Sequence, residues 1–386
     1  MDTIYQCFFS ENNRSIFTIL DIIILLYIWS KTRFSLYTDL YNQNKARSYF
    51  FLIFLFCMFS MWGSDWYHYL EEFEVVKSYG ASHVNLESFY IWLIESVCTN
   101  YMQFRFIIWG AAVYILYLLF RRISLPLELL IFVFCGIWLI WFSYARVSLA
   151  MALIFLGYSL WYKPIGTRKL LSRCIAIAVM CSAFFFHKSA AFGIAVAFFA
   201  IASEKFSKKT TIIYLILLPL LVILIRGYIV DFLYMDFDSS ENELQANLAA
   251  GQRNFTEISS STKGLGSIIR DFFELAVYYV IFYLCLIYSL KKKNELSHVP
   301  SELDAFVRIC FFLILFASIF AFNLGFNTST IYRRFILFSF IPCTVAICYF
   351  HYYKLFPKIT PKVIQLGIIG MFYTIFYSLY CTLLGI

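Results

Sequence analysis

Charge is scarce in this sequence. Asp, Glu, Lys and Arg supply 14% of its 386 residues, about half the ~25% of a soluble globular domain, while the apolar share of 62% exceeds the usual ~45–50%. The deficit excludes a water-soluble globule and points to a chain that crosses a membrane many times. Missing too is the alternation of apolar and polar residues that lets a spanning strand separate a lipid face from a lumen. The apolar runs are instead continuous over helical lengths, so the fold class is all-α. The eleven cysteines show no CxxC or Cys/His ligand spacing. Most of them (Cys57, Cys135, Cys174, Cys181, Cys285, Cys310, Cys343 and Cys348) lie inside apolar runs and read as small packing residues, not as a disulfide framework or a zinc site. No Walker-type loop, Gly-x-Ser-x-Gly elbow or paired-Asp metal motif occurs, which leaves ATP hydrolysis and serine-hydrolase chemistry without support. Asp21, Arg226, Glu274 and Arg308 lie near span ends, and no file of carboxylates or histidines crosses mid-depth as in a proton-coupled transporter. The net charge of +8 comes from Lys and Arg scattered between apolar segments, never from a basic domain, so nucleic acid is not an expected partner.

What is present is a series of apolar runs at about 16–30, 48–62, 104–120, 123–141, 146–162, 170–186, 189–203, 211–230, 267–290, 305–324, 333–353 and 363–384. Each approaches the ~20 residues that cross a bilayer as a helix. They predict one polytopic bundle of about twelve spans, a single transmembrane domain over 1–386 with long outer loops at 63–103 and 231–266. The segment before Arg14 lacks a basic n-region and a small-residue cleavage site, so the first span is expected to be a retained anchor. The runs 170–186 and 189–203 meet at His187–Lys188–Ser189. One long buried helix there would reverse everything downstream and place Lys205, Lys208, Lys209 and Lys291–Lys293 outside, so two spans are the preferred reading.

Orientation follows from sorting the basic residues by connecting segment. Nineteen of the 31 Lys and Arg fall on one side, including Arg121, Arg122, Lys163 and the Lys291–Lys293 run. Eleven fall on the other, and Arg308 sits just inside a span. The richer side is read as cytoplasmic, which puts both termini and both long loops outside. Asp65, Glu71, Glu72, Glu74, Glu87, Asp236, Asp238, Glu241, Glu243 and Glu257 all fall in those outer loops.

Basic residues on the outer side oppose this rule, so those at helix ends ask for a reason. Four places stand out. In Gly63–Ser64–Asp65–Trp66–Tyr67–His68–Tyr69, Asp65 sits at the outer boundary inside an aromatic cluster, where an apolar setting would suit it to proton transfer; the other reading is an interfacial belt with Asp65 capping a helix. Downstream, Glu87 in an amphipathic piece is the second carboxylate. Arg146 opens the fifth span beside the small residues Ser148, Ala150, Ala152 and Gly157, which let a neighbouring helix approach and turn the guanidinium inward as a fork for phosphate oxygens; the other reading is snorkelling to headgroups. At His187–Lys188–Ser189, Ser189 is expected to cap the following helix and leave backbone N–H groups for an anion; the other reading is a satisfied turn. Last, Arg333 and Arg334 start the eleventh span from outside, where an anionic ligand compensates them. Arg105 and Arg270 are weaker versions of the same case.

In this order these motifs resemble the EpsG-like family of Wzy-type bacterial polysaccharide polymerases. The matching pieces are Gly63–Ser64–Asp65 with Tyr67 and Tyr69, Glu87 with Tyr90, Arg146 followed by Ala150, and His187–Lys188–Ser189–Ala190, with Arg333 and Arg334 where the family carries late basic residues. The resemblance runs from about 60 to 345. It implies an enzyme of the bacterial cytoplasmic (inner) membrane, its site facing outward. The enzyme would join undecaprenyl-pyrophosphate-linked oligosaccharide repeat units during O-antigen, capsule or exopolysaccharide synthesis, releasing undecaprenyl pyrophosphate. A chain-length regulator and a flippase of the same pathway would be its partners beside membrane lipid.

The chemistry of that reaction suits the residues. Charge develops on phosphate oxygens as the acceptor hydroxyl attacks an oxocarbenium-like anomeric carbon. Arg146, Lys188, Arg270, Arg333 and Arg334 would hold those oxygens, and Asp65, Glu87 or His187 would take the hydroxyl proton, with Asp65 preferred. Cationic side chains make a metal or other cofactor unnecessary. Two other readings stay open: an outer-face glycan O-acyltransferase using His187, and a flippase or exporter of the lipid-linked glycan.

Overall fold

A computed structural model describes residues 11–36, 43–61, 65–80, 86–142, 144–205, 265–290, 300–324 and 335–384, together with Leu217. Among them all regular structure is helical and no strand occurs. In chain order the helices are α1 (Glu11–Thr32), α2 (Gln43–Phe59), α3 (Asp65–Tyr79), α4 (Ser88–Trp92), α5 (Tyr101–Arg122), α6 (Leu127–Ile137), α7 (Leu139–Phe142), α8 (Ala145–Tyr162), α9 (Lys169–Ser182), α10 (Ala190–Ala202), α11 (Leu265–Leu290), α12 (Ser301–Leu324), α13 (Phe340–Tyr352) and α14 (Thr360–Leu384). Four stretches, Asn13–Thr32, Tyr101–Arg122, Phe272–Leu290 and Phe335–Tyr352, are long and apolar enough to cross a membrane. The apolar run at 211–230 lies outside the described residues, as does the loop 231–266 apart from its last residues, 265–266, where α11 begins.

The hub is made by α6 and α13. Residues 129–137 and 340–350 are buried on every side, as expected of helices that are apolar all round. Around them pack α1, α2, α12 and α14, while α8 lies against α5, α9 and α10. Helices α8 and α9 approach closely: a Cβ added at Gly157 would meet Met180 Cγ at 2.5 Å and the Ala176 carbonyl oxygen at 2.6 Å. Ser148, Ala150 and Ala152 are fully buried along the same helix. Of the small residues expected to let a helix approach α8, Gly157 is the one seen against α9. The outer surface of the bundle is apolar, with Leu170, Leu171, Ile175 and Phe185 exposed on and just after α9, as a lipid-facing wall requires.

Three features differ from the sequence reading. The run 123–141 is not one helix: α6 stops at Trp138, whose ring clusters with those of Tyr278 and Phe340 at centroid distances of 5.1 and 5.0 Å. That anchoring holds the break. The segment 63–103 is not an open loop, because α3, α4 and a π-helical turn at Leu93–Val97 occupy most of it. Cys174 and Cys181 are exposed rather than packed inside, whereas Cys57, Cys98, Cys135, Cys285, Cys310, Cys343 and Cys348 are buried.

Capping follows ordinary rules. Asn100 accepts from the Gln103 amide at 2.9 Å, Gln103 accepts from Thr99 N–H at 2.8 Å, and Arg121 and Arg122 close the last turn of α5, where cations complement the helix dipole. At that end a polar knot ties three helices. Glu302, buried at the start of α12, accepts from Ser124 N–H at 2.7 Å and lies 3.7 Å from Lys163 Nζ. Lys163 Nζ donates to the Arg122 carbonyl at 2.7 Å, and Arg122 donates back to the Lys163 carbonyl.

Gly157→Val is expected to lower the stability of the purified protein by about 1–3 kcal/mol, because the carbonyl it meets belongs to backbone that cannot step aside. Cys181→Ala, on the exposed face, should leave it within about 0.5 kcal/mol. Thermal unfolding in detergent or lipid discs measures both.

Candidate functional site

Four segments meet where α8 begins. The first is α3, which buries Tyr69, Leu70, Phe73 and Val76 and leaves His68, Glu71 and Lys77 exposed. This 3–4 spacing makes one apolar stripe. The stripe is pinned to α5 by Phe73, 5.8 Å from Tyr101 and 5.9 Å from Phe104. The second is α4, at whose N-cap Glu87 has extended backbone, φ −66° and ψ 143°. Its carbonyl accepts the first helical bonds, from Tyr90 N–H at 2.9 Å and Ile91 N–H at 3.3 Å. Its carboxylate leaves its own helix uncapped and reaches across the site. The third is the first turn of α8, carrying Arg146. The fourth is the break between α9 and α10 at 183–189, where Phe186 packs on Phe89 at 4.6 Å.

The ion pair is the centre. Arg146 Nη1 donates to Glu87 Oε2 at 3.2 Å, with side chains 21% and 9% exposed. Arg146 Nε donates to Tyr69 Oη at 3.1 Å, and the guanidinium carbon stands 5.0 Å from the Tyr69 ring centroid, a cation–π geometry. The other oxygen, Glu87 Oε1, accepts from the Lys188 backbone N–H at 3.3 Å. One carboxylate thereby links α4 to α8 and to the 183–189 break. Arg146 is turned inward, not out to headgroups.

The break also has bonds of its own. Ser189 N–H donates to His187 Nδ1 at 3.0 Å, and Ser189 Oγ lies 2.6 Å from the same nitrogen. An Nδ1 that accepts from an amide leaves the proton of the neutral ring on Nε2. Ser189 was expected to cap α10; its side chain makes no cap bond, being used by His187. The N–H groups of Ala190, Ala191 and Phe192 donate to the carbonyls of His187, Lys188 and Ser189, so they are not available to an anion as the sequence suggested.

Of the residues singled out from sequence, Glu87, Arg146, His187 and Lys188 come together here. Asp65 is the first residue of α3, one helical turn before Tyr69, and Arg270 lies in the second turn of α11; the side chains of both lie outside the described residues, as do Arg333 and Arg334 entirely. Arg105 needs a correction. Buried at 5% exposure, it donates through Nε to the Met58 carbonyl at 2.8 Å and through Nη2 to those of Cys57 and Ser60 at 2.8 and 3.0 Å. It closes the C-terminal end of α2, whose last carbonyls have no helical partner, so no anionic ligand is needed to explain it. Among the described residues no three His, Cys, Asp or Glu side chains cluster as a metal site.

Two tyrosines were not named as site residues. Tyr69 holds Arg146. Tyr90, one turn past Glu87, is fully buried, and burial, with Tyr69 and Glu87 adding to it, pushes its phenol well above the ordinary value. The available signal was spacing: Tyr69 follows Asp65 by four residues and Tyr90 follows Glu87 by three, the separations that share a helical face.

Arg105→Met should destabilise the fold by about 3 kcal/mol, since buried carbonyls lose a charged donor. A double-mutant cycle of Glu87→Gln with Arg146→Met is expected to show about 1–3 kcal/mol of coupling. Unfolding midpoints of the four proteins read the second; protease resistance in membranes reads the first.

No curated protein and no solved structure matches the chain. The EpsG family does, over residues 45–384, a stretch that runs from the first turn of α2 to the end of α14 and holds all four segments of the site. A match of that extent makes the chain a member of the EpsG family, which is Wzy-type and polymerase-like.

Proposed function

We propose that the protein is a membrane glycosyltransferase of about twelve spans in the bacterial inner membrane, with both termini and the site on the outer side. It joins undecaprenyl-pyrophosphate-linked oligosaccharide repeat units on the outer leaflet and releases undecaprenyl pyrophosphate. The observation that carries this reading is the meeting of Glu87, Arg146 and the His187–Lys188 turn, a carboxylate and cations brought from three distant segments to one end of the bundle.

In the reaction, a hydroxyl oxygen of the incoming unit bonds to the anomeric carbon of the growing chain. The bond from that carbon to the pyrophosphate oxygen breaks, and the leaving lipid pyrophosphate takes the electron pair. The proton goes to a carboxylate. Glu87 stands beside Arg146 for that task, and Asp65 at the head of α3 is the second candidate. Arg146 stabilises the charge gathering on the phosphate oxygens through its remaining N–H groups, with Lys188 and His187 Nε2–H on the neighbouring turn and Arg270, Arg333 and Arg334 from the later helices. The Arg146–Glu87 pair has a further merit. A base hydrogen-bonded to the group that holds the leaving phosphate is fixed in position before substrate arrives. A flippase and a chain-length regulator of the same pathway would be the protein's partners.

Deleting the gene and complementing it tests the reading on a gel ladder of surface glycan. Wild type should restore long chains, while Arg146→Ala and Glu87→Gln should leave only single repeat units on their acceptor at normal protein level, a loss of at least 100-fold in chain extension on the order seen for removing one transition-state donor. A full ladder lacking a substituent would point to acyl transfer, and units trapped on the cytoplasmic side would point to a flippase.

A further inference from the structure

Tyr90 is the least comfortable residue of this region. Its side chain is 0% exposed, and its ring is walled by Phe89, Phe104 and Phe186 at centroid distances of 5.6, 6.1 and 6.5 Å. Its hydroxyl makes no hydrogen bond among the described residues. A phenol buried without a partner costs roughly 1–3 kcal/mol, and Phe at the same place would fill the same space without that cost. Tyr90 is also in an informative place: its N–H donates to the carbonyl of Glu87 at 2.9 Å, one turn from the carboxylate that holds Arg146 at 3.2 Å, and its ring faces Phe186 of the 183–189 break. A polar group left unsatisfied next to an ion pair is what a site keeps for a ligand.

We infer that the Tyr90 hydroxyl is a substrate-binding group, donating its hydrogen bond to a phosphate oxygen of the lipid pyrophosphate that Arg146 receives. This rests on the reading of the site given above for the kind of ligand, and on the unpaired hydroxyl for the residue. Phosphate is favoured over a saccharide hydroxyl because the phenol has a proton to give and the neighbouring guanidinium draws negative oxygens to the same point.

The test compares wild type with Tyr90→Phe, as full-length protein in lipid discs. Farnesyl pyrophosphate is the probe, and farnesol, which has the tail without the phosphates, is the control. The variant should melt at or above the wild-type temperature, bind farnesyl pyrophosphate roughly tenfold or more weakly, and respond to farnesol as wild type does. In complemented cells its glycan ladder should be shortened. A lower melting temperature would mean the hydroxyl is partnered inside the resting protein and would overturn the inference, as would equal binding of the probe by both proteins, or no binding by wild type. Should wild type fail to restore any ladder while probe binding still depends on Tyr90, the polymerase reading falls and the phosphate-binding role stands.

Discussion

Helices that end inside an apolar bundle have no water for their terminal carbonyls and amides, and the internal partners they find shape this protein. Arg105 closes the end of α2 with three carbonyl bonds. Ser148 Oγ donates to the Phe142 carbonyl at 2.6 Å where α7 gives way to α8. Glu302 and Lys163 secure the turn after α5. Each of these is a charged or polar residue spent on backbone, and each sits where a helix stops. The cost of leaving such groups bare in a low-dielectric setting is several kcal/mol.

Arg146 obeys the same constraint with a different result. Its partners are side chains, Tyr69 and Glu87, and not the carbonyls of a helix end. Side-chain partners can exchange when a ligand brings better oxygens, whereas a carbonyl cap is fixed by the helix it closes. The contrast between Arg105 and Arg146, two arginines that both lie near helix starts on the side read as outer, separates a guanidinium that serves backbone carbonyls from one held by side chains. Burial alone would not have done so, since both are largely sequestered.

The two ends of α8 are about 27 Å apart on a rise of 1.5 Å per residue, and they carry opposite tasks. At one end the Arg122–Lys163–Glu302 knot joins α5, α8 and α12. At the other, Arg146 faces three segments that are short or broken: α4, the 183–189 turn and the head of α3. Rigid helices hold the bundle through close contacts such as Gly157 on α9, and Glu87 and the Lys188 amide lie at the interruptions between them. Breaks permit side chains and amides to converge that regular helices would keep on separate faces.

The sequence by itself determined the class of the protein. Continuous apolar runs admit only helices, the uneven distribution of Lys and Arg set an expected orientation, and the oddity of basic residues on the outer side drew attention to Arg146 and His187–Lys188. Glu87 was legible as a carboxylate in an amphipathic piece. What hydropathy could not carry was anything depending on partners far apart in the chain. Arg105 and Arg146 look alike in sequence, and only the proximity of α2 to one and of Glu87 to the other distinguishes them. Ser189 reads as a helix cap until His187 is seen to take its hydroxyl. The break at Trp138 is invisible in an apolar run because the stack of Tyr278 and Phe340 that holds it comes from helices more than a hundred residues away. Tyr90 reads only as a motif partner of Glu87, and its unsatisfied hydroxyl exists only once the chain has packed around it. Local pattern fixes which segments are apolar and helical, while the pairing of polar groups, decided by distance in space, settles which partners each of them finds.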